Sequence, residues 1–398
     1  MKKVVVTGMG CLTPIGNNVQ AFSENLFKGT CAVGPITKFD AEKFPVKNAC
    51  ELKNFDPSAS FQVLDPFIQY GITAVTEAIQ YSGLAVSSLD PYRIGVTMSS
   101  SKGGFTTIEK FYERLMKRPS ALLGARVYSN SIPNILSQWI ARRWKINGPA
   151  KPVVAACATG TMAIIEGIRM IEDDEVDVCF AGASDASITR LLMAGYKQLG
   201  VLSSSGIYPF DARREGFVLG EGAAAVVLES ENHAQARGAK IYGKILSYAF
   251  GNESKDIISF PVDGDGLEKT LRKLIAKSNI KSEEIDSLEL HGTGTQTGDL
   301  YETAHIKRAF GKSAYKIPMS AIKSMIGHSV GAAGAISFVA SLISIRNGFI
   351  PPTINLEKPD PACDLDYTPN VAKEKEINIA GSISMGLGGH IGAILVGR

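Results

Sequence analysis

Short apolar runs and helical patterns alternate along most of this chain, and that alternation predicts the fold class. The runs KVVVTG, RIGVTM, KPVVAA and VDVCFAG, then DSLELHG, KIPMSA and INIAGSIS, are rich in Val and Ile and nearly continuous in hydrophobicity. Such runs are expected of strands covered on both faces. Between them GTMAIIEGIRMIEDD, LEKTLRKLIAKSN and YETAHIKRAFG carry apolar residues at helical spacing. Strands alternating with helices predict an α/β protein with buried, largely parallel sheets.

A longer pattern overlies the first. One strand leads through CATG into a small-residue helix, and about sixty residues later comes FVLGEGAAAVVLE, a glycine-rich turn before an apolar strand. Downstream, IKSMIGHSVGAAGA opens a second small-residue helix, and about sixty residues later comes MGLGGHIGAILVG. Two equivalent units explain this repetition. Their junction is expected in the polar stretch ESENHAQARGAKI, residues 229–241, which divides the chain into 1–240 and 241–398.

Composition narrows the function. A length of 398 residues fits two domains or one large duplicated one. With 42 basic and 39 acidic residues, the net charge of +3 gives no bulk pull toward nucleic acid or an anionic membrane. The six cysteines are scattered, with no CxxC pair and no metal-ligand spacing with the five histidines, as suits a reducing cytoplasm. MKKVVVTGMG reads as a buried first strand, because its glycines end the apolar run too soon for a signal peptide. VGAAGAISFVASLISI reads as a core helix, being short of a full membrane span.

The candidate chemistry begins at Cys157, in VVAACATGTM, where small neighbours leave space around the sulfur and a helix start favours the thiolate. His291, in LELHGTGTQTGD, and His328, in KSMIGHSVGAAG, both follow expected strands in glycine-rich surroundings. Such a pair can donate hydrogen bonds to an enolate oxygen developing on a thioester carbonyl. Lys323 supplies positive charge to that site or is a solvated strand-end lysine. Thr293 and Thr295 suit an extended amide-bearing arm or a satisfied turn. Asp299 and Glu302 open a helix, Asp299 in a structural role and Glu302 divided between structure and support of the site. TGMGCLTPIG is not a dinucleotide fingerprint, since Thr13 replaces its third glycine and Pro14 follows.

Taken together and in order, VVVTGMGCLTPIGN, ACATGT, PFDARREGFVLGEGAAAVVLE, HGTGTQTGD, KSMIGHSVGAAG, PPTINLEKPDPACDLDY and MGLGGHIGAILV resemble the β-ketoacyl-acyl carrier protein synthases, most closely the synthase II type. The resemblance runs nearly end to end. It implies a thiolase-type fold, with two similar halves forming a five-layered αβαβα core, and a homodimer or a heterodimer with a related subunit. It implies decarboxylative Claisen condensation of malonyl carrier protein with an acyl group held on Cys157, in fatty-acid elongation or a specialised polyketide or polyene pathway. The alternative is a non-elongating or chain-length-setting partner subunit. His291 and His328 match the enolate-stabilising histidines, Lys323 and Glu302 the charged pair supporting them, and Thr293 and Thr295 the pantetheine contacts. The backbone N–H groups of Cys157 and Leu387 match the oxyanion hole, and Phe217 an aromatic beside the entrance. No metal or redox cofactor is implied, since the substrates ride on the phosphopantetheine arm of an acyl carrier protein.

Three departures from that family pattern stand out. Met385 and Leu387 occupy positions usually held by phenylalanines, one of them a gate over the cysteine. Lys102, in MSSSKGGF, falls at a position that lines the acyl pocket and is usually apolar or small. It is expected to shorten the pocket, to face a polar or conjugated acyl group, or to pair with a carboxylate at a dimer interface. DPSASFQVLDPFIQY lacks the basic cluster that docks the carrier, leaving Lys110, Arg114, Lys117 and Arg118 either as docking charge or as a solvated helix face.

Overall fold

A computed structural model describes residues 2–57, 61–119 and 124–398. Nine strands form its main sheet: β1 (Val4–Leu12), β2 (Ile94–Ser99), β3 (Val178–Asp185), β4 (Gly222–Ser230), β5 (Gly243–Asn252), β6 (Ser287–Glu289), β7 (Met319–Ser320), β8 (Ile379–Gly386) and β9 (His390–Gly397). Their spatial order is β2-β3-β4-β1-β5-β9-β8-β6-β7. The helices that frame it are α1 (Pro66–Ser82), α2 (Phe105–Lys117), α3 (Ile135–Trp144), α4 (Thr159–Glu172), α5 (Arg190–Gln198), α6 (Gly266–Ser278), α7 (Gln296–Phe310) and α8 (Ala333–Asn347).

The pairing repeats across the middle of the sheet. β1 and β4 are antiparallel, as are β5 and β9. So are β3 with β4 and β8 with β9, whereas β2 with β3 and β6 with β8 are parallel. Even the outer bridge recurs: Val96 pairs with Ala150 in parallel, as β6 does with β7. The halves join where Val5 and Val6 of β1 face Lys244 and Gly243 of β5.

The expectation of largely parallel sheets is therefore corrected to mixed ones. The cause is visible at β8 and β9, which Leu387–Gly389 link so closely that only an antiparallel return is open. Gly388 and Gly389 take the positive φ values, +89° and +85°, that this turn needs. KPVVAA is also not a ladder strand. Pro152 has no N–H to give, and the segment leans on β2 through the Ala150 bridge and the Val153 N–H, which donates to Ser99 Oγ at 2.8 Å.

Helices complete five layers. α1 and α3 cover the outer face of the first half, α4 and α8 lie between the halves, and α6 with α7 behind it covers the second. Gly8 and Gly10 of β1 lie so close to α1 that an added Cβ would come within 2.2 Å of the Ala78 carbonyl and 2.1 Å of the Ala74 carbonyl. Close strand-to-helix packing thus accounts for the glycines of TGMG. α4 and α8 cross reciprocally: a Cβ on Gly160 would lie 2.5 Å from the Ala335 nitrogen, and one on Gly334 would lie 2.3 Å from Thr161 Oγ1. The stretch Val330–Asn347 is apolar and long enough to cross a membrane by composition, yet it is 89% buried in this central layer.

Candidate active site

Cys157 lies in a 3-10 turn, Ala156–Ala158, immediately before α4. Ala156 is held at φ +47°, and the Thr159 hydroxyl fastens the turn by accepting from the Ala155 N–H at 2.9 Å and donating to the Ala156 carbonyl at 2.7 Å. The second half repeats the device: Val330 sits at φ +48° in the 3-10 turn Val330–Ala332, just before α8. A left-handed residue other than glycine costs about 1–3 kcal/mol, so both turns are over-determined by their surroundings. The repeat puts Gly331 where the first half has Cys157.

The expected lowering of the Cys157 thiol is overturned. Burial pushes it up to about 11, against the pull of the Lys102 and Lys323 charges and of the Leu387 N–H, which faces the sulfur. Removing a thiolate from water outweighs the local help of a helix start. The resting sulfur is a thiol at neutral pH, and to act as a nucleophile it needs a base. Carbamidomethylation of Cys157 by iodoacetamide should accelerate about tenfold per pH unit from 7 to 10 and level off near 11. A rate that is flat above pH 7 would show an already ionised sulfur; peptide mapping checks the site.

His291 and His328 stand edge to face, ring centroids 5.5 Å apart, at 7% and 1% exposure. Burial, reinforced by the Lys323 charge, holds both well below their ordinary pKa, so both imidazoles are neutral. Their Nδ1 atoms are buried without partners. Phe217 meets His328 edge-on at 4.9 Å, and Tyr196 meets Phe217 at 5.8 Å.

Buried acids hold these groups in place. Glu302 does not open α7 but lies in its middle, where its carboxylate accepts the His291 and Gly292 N–H groups at 2.7 and 2.8 Å. Burial pushes it up to about 7. Asp299, in the first turn, accepts from Gly294 N–H at 3.1 Å and from Phe210 N–H at 2.8 Å. Lys323 is not a solvated strand end; it is 2% exposed, starts the helical turn Lys323–Ile326, and points its Nζ toward the Leu290 carbonyl at 3.5 Å. Among the described residues it makes no ion pair with Glu302, and Glu289 is the carboxylate that acts on it most strongly.

Glu289 and Asp185 were not foreseen. Glu289 is 4% exposed, accepts the Ile322 N–H at 3.1 Å and is pushed up to about 8 by burial. Its signal was the acid two residues before His291 in LELHG, on the same side of an extended segment. Asp185, fully buried at the end of β3, takes the Ser100 hydroxyl at 2.6 Å, the Lys102 N–H at 3.2 Å and the Gly331 N–H at 2.7 Å. It ties the two halves together beside Cys157.

The sulfur and the two imidazoles open onto one cavity of about 400 Å³. Cys157, His291, His328, Thr293, Thr295, Phe217, Met385 and Leu387 all line it, with Tyr196, Ile258 and Phe260. The Thr293 and Thr295 hydroxyls are 3.0 Å apart. Lys102 stands beside the cavity, its Nζ 5.9 Å from the centre of the Tyr196 ring. Lys110, Arg114, Lys117 and Arg118 lie elsewhere, lining a surface groove along α2. Residues 58–60 of DPSASFQVLDPFIQY fall outside the described residues.

Known proteins share this architecture. The family model described as Beta-ketoacyl synthase, N-terminal domain, matches residues 1–234, and its C-terminal counterpart matches 242–357. The 3-oxoacyl-[acyl-carrier-protein] synthase 2 of Coxiella burnetii is 36% identical, covering 100% of this chain and 99% of its own. Among solved structures, the ishigamide ketosynthase/chain length factor superposes with a TM-score of 0.94 at 32% identity, over 100% of this chain and 99% of that one. AntDE:AntF, a type II PKS acyl-carrier protein in complex with its ketosynthase, gives a TM-score of 0.93 at 28% identity, with the same coverage.

Proposed function

This chain belongs to the β-ketoacyl synthase family of acyltransferase-type condensing enzymes, with the thiolase-type fold, and from that membership we propose how its own residues carry the reaction. The observation that bears most weight is the single cavity shared by Cys157, His291 and His328, with the Leu387 N–H facing the sulfur.

In the first step the Cys157 sulfur attacks the thioester carbonyl of an acyl carrier protein. A neutral histidine takes the thiol proton, the carrier thiolate leaves, and that proton goes to it. The Cys157 and Leu387 N–H groups receive the oxyanion. In the second step malonyl carrier protein enters, with Thr293 and Thr295 on its pantetheine arm. Its carboxylate carbon departs as carbon dioxide, and the bond's electron pair passes into an enolate whose oxygen accepts from His291 and His328. The enolate carbon then attacks the acyl-cysteine carbonyl and expels the Cys157 thiolate, which takes a proton from solvent. The product is a 3-oxoacyl carrier protein two carbons longer.

Glu302 serves in this reading as a positioning residue for the His291 backbone, and Lys323, balanced by Glu289, keeps the histidines neutral. Phe217, Met385 and Leu387 bound the entrance and gate the acyl pocket. The chemistry proposed calls for no metal or redox cofactor. The units are taken as 1–240, with the cysteine, and 241–398, with the histidines. The repeated strand pairing and the separate family matches support that division. The protein is placed as the catalytic, cysteine-bearing member of a dimer with itself or with a related subunit, acting in the cytoplasm on an acyl carrier protein. α2 offers that acidic carrier a basic face.

The test supplies octanoyl carrier protein and malonyl carrier protein labelled with ¹³C at its two retained carbons. A 3-oxodecanoyl product bearing both labels is expected by mass spectrometry. Carbon dioxide release with no condensation product from octanoyl or from an oxygen-bearing acyl donor would mark a non-elongating decarboxylase. Neither acyl-enzyme nor carbon dioxide would mark a partner subunit.

A further inference from the structure

The aromatic contacts form a continuous line away from the reaction centre: His291 to His328, His328 to Phe217, Phe217 to Tyr196, and the Tyr196 ring to the Lys102 ammonium. Tyr196 lines the cavity, is 6% exposed, and has a buried hydroxyl with no hydrogen-bond partner. Ser101, beside Lys102 in the chain, likewise buries a hydroxyl without a partner. Lys102 is half-buried, and among the described residues its ammonium makes no ion pair; its backbone N–H is fixed on Asp185. A buried phenol O–H beside a cavity is costly to leave unmatched, and the ammonium over its ring has no carboxylate partner among the described residues.

We propose that Lys102 and Tyr196 form a polar acyl subsite, and that the group carried on Cys157 bears a hydrogen-bond-accepting oxygen, a ketone or a carboxylate, which these two donors receive. This rests on the condensing reading above and specifies its substrate class. The chemistry of the donors favours oxygen over a plain alkyl chain. Burial pushes the Tyr196 phenol far up, so it keeps its proton and has an O–H to donate. The Lys102 charge reaches into the site, since it acts on both Cys157 and His328. An all-methylene chain would leave the buried Tyr196 hydroxyl unpaired and give the Lys102 ammonium nothing to bind, whereas an oxygen would accept from the phenol and form a charge-assisted hydrogen bond with the ammonium.

The experiment measures kcat/KM for acylation of Cys157 by three thioesters of one carrier protein: hexanoyl, 3-oxohexanoyl and adipyl. Uptake of any of the three by the wild type tests the condensing reading by itself, because a chain that takes up none fails there and takes the subsite with it. With that reading intact, one or both oxygenated groups should be preferred over hexanoyl by on the order of tenfold or more. Preference for adipyl alone would assign a carboxylate, and preference for 3-oxohexanoyl alone a ketone. In Lys102→Met and Tyr196→Phe the oxygenated-to-hexanoyl ratio should collapse toward one, whatever the absolute rates. Equal or better use of hexanoyl by the wild type would overturn the proposal. So would an unchanged ratio in both variants, and if Lys102→Met also lost its dimer by light scattering, Lys102 would be an interface residue.

Discussion

Replacing Cys157 with alanine is expected to separate the two halves of the reaction. Condensation should fall by about 10⁴-fold or more, the scale on which loss of a nucleophile is felt, and the acyl-enzyme should disappear from the intact mass. Carbon dioxide release from malonyl carrier protein should survive within about tenfold, because in the proposed mechanism the two histidines receive the enolate oxygen and the sulfur takes no part in that bond cleavage. His291→Ala and His328→Ala should behave in the opposite way, each lowering carbon dioxide release by about 10²–10³-fold. Burial holds the thiol up to about 11 and both imidazoles neutral, so a histidine is available to take its proton. The variant that also slows acylation identifies which one does. Loss of carbon dioxide release in Cys157→Ala as complete as the loss of condensation would show that the sulfur is needed to build the decarboxylation site, and the division of labour would fail.

The same contrast shows which parts of the molecule could be read from sequence. Strand and helix positions were legible because hydrophobic period is local, and the duplication was legible because CATG and HSVGAAG open equivalent helices. Strand direction was not, since a buried Val- and Ile-rich run looks alike whichever way its neighbours lie. The one local sign was the tight GLGG return between β8 and β9. Cys157, His291 and His328, which the fold brings to one cavity, stood out in sequence by their small-residue settings, but the state of the sulfur was misjudged because a helix start is local and desolvation is tertiary. Asp185 and Glu289 were missed for a related reason. An acid at the end of an apolar strand looks like a boundary residue until the fold closes over it, and only then does Asp185 reach Gly331, 146 residues away. The placing of Lys102 against Tyr196 likewise joins two segments distant in the chain.

Substituting Gly386 with alanine is the second change from which a large effect is expected, and it probes the backbone rather than a reactive side chain. An added Cβ would lie 2.6 Å from the Ala155 carbonyl oxygen and 2.9 Å from the Cys157 nitrogen. Both neighbours are backbone atoms of the turn that carries the nucleophile, already fastened by Thr159, so no flexible side chain can yield. The turn after β8 must move instead, and the Leu387 N–H that faces the sulfur moves with it. Losing one oxyanion donor of this kind lowers kcat by about 10²–10³-fold. The loss should fall on both acyl transfer and condensation, because both pass through a tetrahedral carbon on that sulfur, while carbon dioxide release, served by the histidines across the cavity, should fall far less. Thermal denaturation of the same variant separates this from a general loss of folding. A variant that melts near the wild type yet acylates hundreds of times more slowly would place the defect at the Leu387 N–H. Wild-type acylation would mean either that the turn can retreat from Ala155 without carrying its N–H away, or that the second half contributes no donor to the oxyanion.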